Sequence, residues 1–219
     1  MQVRRAALFD MDRTLIRGDT ATLYTRYQRA NGEATLRDSL RVAWWLFQYT
    51  FGVIDAPRVA EEVLKKFRGK REAWMIETCN QWFKDYVLPE VREAGRLAVR
   101  RHRDQGEHVA IVTSATPYAA LPLARELGIE HVVCTELEVD SSGCFTGKVR
   151  QPMCYGPGKI DRALTIADRI GFDLGDAIFY SDSITDLPLL ERVKTPIAVN
   201  PDTRLRRIAQ RRGWKIEKW

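Results

Sequence analysis

Two carboxylates, Asp10 and Asp12, stand two positions apart directly after an apolar run, and Thr14 adds a hydroxyl. Acids crowded in this way do little for folding and are costly unless something cationic joins them. Further on, Ser114 closes an apolar run through Thr113, and Asp182 closes another through Ser181. Asp186 follows Asp182 at a spacing that brings two side chains together on a helical turn. Lys159 opens a helical segment after Gly156, Pro157 and Gly158. Four acids in one cleft need a compensating cation, and Mg2+ suits one or two carboxylates completed by water and a phosphate oxygen. Lys159 would supply further positive charge to a phosphate dianion. Ser114 and the backbone N–H groups after it, at a helix start, would hold phosphate oxygens. The chemistry that fits is phosphoryl transfer to a carboxylate nucleophile. One acid of the closely spaced pair attacks phosphorus. The other protonates the leaving alkoxide and later deprotonates a water.

These residues need elements to bring them together. Ala6, Ala7, Leu8 and Phe9 read as a fully buried strand. Further strands are expected over 108–113, 132–134, 177–180 and 196–199, with helices over 92–105, 117–128, 159–170 and from 203 onward. In a parallel sheet the strand ends carrying Asp10, Ser114 and Asp182 point the same way and meet in one crevice. Residues 137–149 read as a β-hairpin turning on Asp140, Ser141, Ser142 and Gly143. The alternation predicts an α/β fold with a doubly wound, mostly parallel sheet. Between 20 and 87 the pattern is helical, with candidates over 20–31, 35–52, 55–67 and 72–86. That predicts a helical bundle inserted into the sheet domain. The expected division is a core of 1–18 plus 90–219 and a cap of 19–89.

In order and spacing, four motifs resemble those of the haloacid dehalogenase superfamily of phosphatases. They are Asp10-Met-Asp12-Arg-Thr14, Thr113-Ser114, Lys159, and Asp182-Ser-Ile-Thr-Asp186. The resemblance implies a Rossmann-like core, with Asp10 as nucleophile and Asp12 as general acid/base. It implies that Asp10, the Asp12 carbonyl and Asp182 hold Mg2+, that Ser114 and Lys159 bind phosphate, and that Asp186 supports the metal. Asp12 argues against a dehalogenase, which lacks a carboxylate there. The helical insertion looks like the cap of the phosphoserine phosphatase branch. Where that branch carries a Glu toward the substrate's polar end, this chain has Asp19. Where its cap carries a substrate-binding Arg, this chain has Arg41, two positions early. Asp19 also reads as a helix cap beside Thr20. Arg13 stands where small residues are usual. The function implied is a Mg2+-dependent phosphomonoester hydrolase, working through an aspartyl-phosphate on a phosphoserine-like or other amino or alcohol phosphate.

Composition sets the remaining bounds. The chain has 219 residues, 45% apolar and 29% charged, which is ordinary for a soluble globular protein. The net charge of +6 owes much to Arg204, Arg206, Arg207, Arg211 and Arg212. These read as the solvated face of a last helix. No nucleic-acid partner is expected, because no aromatic interleaving or binding motif accompanies them. Cys79, Cys134, Cys144 and Cys154 form no C-x-x-C pair and read as reduced thiols of a cytoplasmic protein. The N-terminus lacks the apolar core of a signal peptide. No apolar run reaches the about 20 residues that span a bilayer. Residues 42–54 form the most apolar stretch and read as the central helix of the bundle. Membrane association is the sharper, unfavoured reading of that stretch. Two other functions stay open: a lipid-phosphate phosphatase at a membrane surface, and a non-catalytic basic binding protein.

Overall fold

Ala6–Phe9 forms β1, and all of its residues are buried. Its side chains alternate between two cores. Ala7 and Phe9 join one apolar cluster with Val109, Ile111 and Tyr180. Ala6 and Leu8 join another with Ala110, Val112 and Phe179. Both faces of the sheet are therefore covered, which is why its strands read as continuous apolar runs. The computed structural model describes residues 5–50, 59 and 62–219.

The main sheet contains β1, β2 (His108–Val112), β3 (His131–Val133), β6 (Ile178–Ser181), β7 (Thr195–Val199) and β8 (Lys215–Glu217). Their order is β3-β2-β1-β6-β7-β8, and all described pairings between them are parallel. The chain leaves β1 toward β2 on one side and returns to β6 on the other. The switch in direction lies at β1, and the crevice beyond its carboxyl end is where such sheets bind ligands. The sheet is the doubly wound one expected from sequence, apart from β8. A short strand with exposed Lys215 carries no apolar run that would announce it. It is held by parallel pairing to β7 and by Trp219, whose ring lies 5.5 Å from that of Tyr180. The hairpin is present as β4 (Leu137–Val139) against β5 (Phe145–Val149).

The segment between β1 and β2 is helical in its described parts. It includes α1 (Thr20–Ala30), α2 (Leu36–Thr50) and α3 (Glu72–Trp82), followed by α4 (Glu93–Asp104). Aromatic edges join α1 to the end of this insertion. Tyr24 meets Trp82 at 5.5 Å and Tyr27 meets Tyr86 at 5.7 Å, both edge-to-face. Helix α2 packs on α1 and on the turn Ile184–Asp186. Of the helix expected over 55–67, residues 59 and 62–67 are described and are helical, ending in a tighter turn over Lys65–Phe67; residues 51–54, the far end of the apolar stretch 42–54, lie outside the described residues. All four cysteines are free thiols, with Cys79, Cys134 and Cys154 buried. Among the described residues no helix is long and apolar enough to cross a membrane.

Candidate active site

Asp10 continues the ladder of β1 by donating its N–H to the Tyr180 carbonyl at 2.9 Å. The chain then breaks from the strand into an irregular turn over Met11–Leu15. Arg13 sits in the left-handed region at φ 58°, a conformation costly for a non-glycine residue, and its N–H reaches the Gly18 carbonyl at 2.9 Å. This reversal lets Asp10 and Asp12 face one cavity while Met11, Thr14 and Leu15 turn into the core. Thr14 is fully buried, and its hydroxyl has no hydrogen-bond partner among the described residues. The cavity measures about 250 Å³ and is lined by Asp10, Asp12, Asp19, Ser114, Asp182 and Asp186, among others.

Lys159 lies behind these acids at 1% exposure. Its Nζ is 2.8 Å from Asp10 and 2.7 Å from Asp186. Ser181 donates its hydroxyl to Asp186 at 2.7 Å. The lysine is set by the start of α5 (Gly158–Ile170). There a Cβ on Gly158 would stand 2.1 Å from the Met153 carbonyl oxygen. Gly158→Ala should therefore displace the helix start, destabilise the fold by about 2–3 kcal/mol and lower activity, as urea unfolding and turnover assays would read.

Asp12 is gripped by one residue. Thr20 gives its backbone N–H to one carboxylate oxygen at 3.0 Å and its hydroxyl to the other at 2.9 Å. Burial nonetheless pushes Asp12 up to about 7, with the charges of Asp10 and Asp19 adding to it. Burial likewise pushes Asp10 up to about 6, opposed by Lys159 and reinforced by Asp186. Asp182 is raised well above the ordinary range by burial, then by Asp10 and Asp186. The buried cluster thus holds more acid than Lys159 can neutralise, and its donor atoms are oxygens, a set suited to a small hard cation. No three acidic, imidazole or thiol groups among the described residues gather tightly enough to enclose an ion unaided. Mg2+ asks for less, since one or two carboxylates with water and substrate oxygens ordinarily suffice.

The raised values make the metal-free protein pH-sensitive. A folded-state value of about 7 against 3.8 means stability is fullest below pH 3.8 and declines as pH climbs toward 7. Asp12 alone would cost up to about 4 kcal/mol above that window. Urea unfolding in EDTA should show wild type losing stability between pH 5 and pH 8 more steeply than Asp12→Asn; equal slopes would refute this.

The other candidates divide. Asp19 lines the cavity but also caps α1, accepting the Thr22 N–H at 2.8 Å, while its second oxygen lies 3.6 Å from Arg13. The cap reading of Asp19 is thus met, and the helix begins at Thr20. Arg41 does not come to the cavity. Its guanidinium pairs with Asp38 at 2.8 Å, one helical turn back, and lies over the Trp45 ring. The helix therefore turns it outward. Sequence reasoning missed Thr20 as the residue that orients Asp12. It also missed Asp202, which accepts the Ile184 N–H at 2.7 Å, caps α6 (Thr203–Arg212) and lines the cavity. An Asp after Asn200-Pro201 at a helix start was the available signal.

The sequence profile of the haloacid dehalogenase-like hydrolases matches residues 7–191. Over 97% of its length the chain is 33% identical to the inhibition of morphological differentiation protein of Streptomyces azureus, covering 78% of that protein. It is 32% identical to phosphoserine phosphatase SerB1 of Mycobacterium tuberculosis over 96% of its own length and 70% of the other. The crystal structure of a Bordetella pertussis protein of unknown function matches it with a TM-score of 0.88 at 31% identity, covering 98% of each chain. The fold, the acid cluster at the β1 crevice and these matches define a hydrolase of the α/β type with a helical insertion. The chain belongs to the haloacid dehalogenase-like hydrolases, and within them it is a phosphatase similar to the phosphoserine phosphatase branch.

Proposed function

We propose that this phosphatase is Mg2+-dependent and works through a phosphoryl group held covalently on Asp10. The observation that supports it best is the arrangement of Asp10 between Lys159 and the cavity, with Asp12 beside it near neutrality. Asp10 and Asp182, with the Asp12 carbonyl, would hold the metal, which when bound would neutralise phosphate charge. Lys159 holds one Asp10 oxygen and leaves the carboxylate directed at phosphorus. Asp12, protonated on part of the molecules at neutral pH, gives its proton to the leaving alkoxide and then takes one from the attacking water. Ser114 and the N–H groups after it hold phosphate oxygens, and Asp186 keeps Lys159 in place. In this reading residues 1–18 and 90–219 form the catalytic core, and 19–89 form a cap that excludes water.

The substrate is a small phosphorylated alcohol, in the first instance an amino-alcohol phosphate of the phosphoserine kind. The relative named phosphoserine phosphatase and the cavity's size support that reading. The free thiols suit the cytoplasm. Purified protein should release phosphate from p-nitrophenyl phosphate only with Mg2+, and a panel of phosphorylated metabolites compared by kcat/KM should single out the class. No turnover of any phosphomonoester would end the proposal. A lipid phosphate is the second reading, favoured by the outer face of α2.

A further inference from the structure

Helix α2 packs inward on α1 and on the Ile184–Asp186 turn at the cavity, yet its outer face is apolar. Leu36, Leu40 and Trp44 recur every fourth residue and are 61%, 64% and 57% exposed. Single exposed leucines are normal, but a stripe of large apolar groups along one helix face marks a contact surface. Arg37 and Arg41, both exposed, run along one side of the stripe. On the flank beyond them Lys66 reaches Asp38 at 3.8 Å. That contact brings up residues 65–71, in which Lys65, Lys66, Arg68, Lys70 and Arg71 are all exposed and no acid occurs. The segment is fixed there by backbone hydrogen bonds between Gly69, Lys70 and Phe145.

We infer that this face of α2 docks on an anionic lipid bilayer and brings the cavity to phosphomonoesters carried at that surface. Leucine and tryptophan entering the headgroup region beside a row of lysines and arginines is the pattern of helices that lie in a membrane interface. A polyanion such as RNA would engage the basic segment and leave the leucines idle. A second copy of this chain would meet the same positive charge and be repelled. The second half of the inference rests on the phosphatase reading; the docking itself does not.

The test is co-sedimentation of the full chain, in EDTA so that no turnover occurs, with phosphatidylcholine vesicles with and without phosphatidylglycerol. Binding is expected only to the anionic vesicles and should weaken as salt is raised. Leu40→Glu with Trp44→Glu should weaken it about tenfold or more while p-nitrophenyl phosphate turnover is unchanged, which also shows that the variant folds. With Mg2+ present, the same variant should hydrolyse phosphatidic acid in vesicles about tenfold more slowly than wild type. Absence of vesicle binding, binding unaffected by the double variant, RNA binding without vesicle binding, or a dimer abolished by the double variant would each overturn the docking. Docking without phosphatidic acid hydrolysis would overturn the substrate half alone, and loss of p-nitrophenyl phosphate turnover in wild type would instead count against the phosphatase mechanism.

Discussion

Asp10→Asn should abolish phosphate release, lowering kcat by on the order of 10⁵-fold, as removal of a catalytic nucleophile does elsewhere. Asparagine keeps the shape of the side chain but cannot attack phosphorus. The fold should survive, because Lys159 still has Asp186 as a partner at 2.7 Å. Stability should in fact rise above neutral pH. A carboxyl group pushed up to about 6 is one whose charge the folded chain disfavours, and burial is the chief reason. Replacing it would gain up to about 3 kcal/mol in the metal-free protein. Turnover of p-nitrophenyl phosphate checks the first part and urea unfolding in EDTA at pH 8 the second. Mass spectrometry of acid-quenched wild type should find the transient phosphoryl group on the peptide that contains Asp10. A variant retaining a tenth of wild-type activity would remove Asp10 from the nucleophile's role.

Lys159→Met should be the most damaging single change to the fold. It removes the ammonium that lies between Asp10 and Asp186 and leaves two buried acids facing each other at 9% and 2% side-chain exposure. Breaking a buried pair in this way costs about 3–5 kcal/mol, because the partner charge is stranded rather than merely unpaired. Loss of the positive charge beside the phosphate should lower kcat/KM by about 10³-fold as well. A second variant separates the two effects. Lys159→Met with Asp186→Asn removes one stranded charge and should recover most of the stability and none of the activity. Equal stability of the single and double variants would show that packing, not charge, governs the site. The neighbouring acids tie this to pH, since burial, Asp10 and Asp186 already raise Asp182 while Lys159 opposes them.

Much of this protein was legible in its sequence. β1, β2, β6 and β7 are short apolar runs because both sheet faces are covered, so each strand is announced by its own residues. The acids at their ends are equally visible, since several carboxylates gathered at one sheet edge are costly unless something cationic joins them. Strand ends that point one way then bring Asp10, Ser114 and Asp182 to one cavity. Such features depend on neighbours along the chain and on one general property of parallel sheets.

What only the tertiary structure decided are pairings between residues far apart and the direction each side chain takes. Lys159 reaches Asp10 across 149 positions, and no local pattern records that contact. Thr20 holds Asp12 because the turn after β1 folds back through a left-handed Arg13, a conformation that residue type does not suggest. Arg41 shows the opposite case: it is of the right type near the right place, yet it is drawn outward to Asp38. Asp19 meets both readings the sequence offered, capping α1 and lining the cavity. The apolar stretch of the insertion carries the same lesson. Sequence spacing made α2 a helix, but only its packing on α1 determined that Leu36, Leu40 and Trp44 face outward rather than into a core. Periodicity specifies that a helix has an apolar stripe, and the surrounding chain decides what that stripe meets.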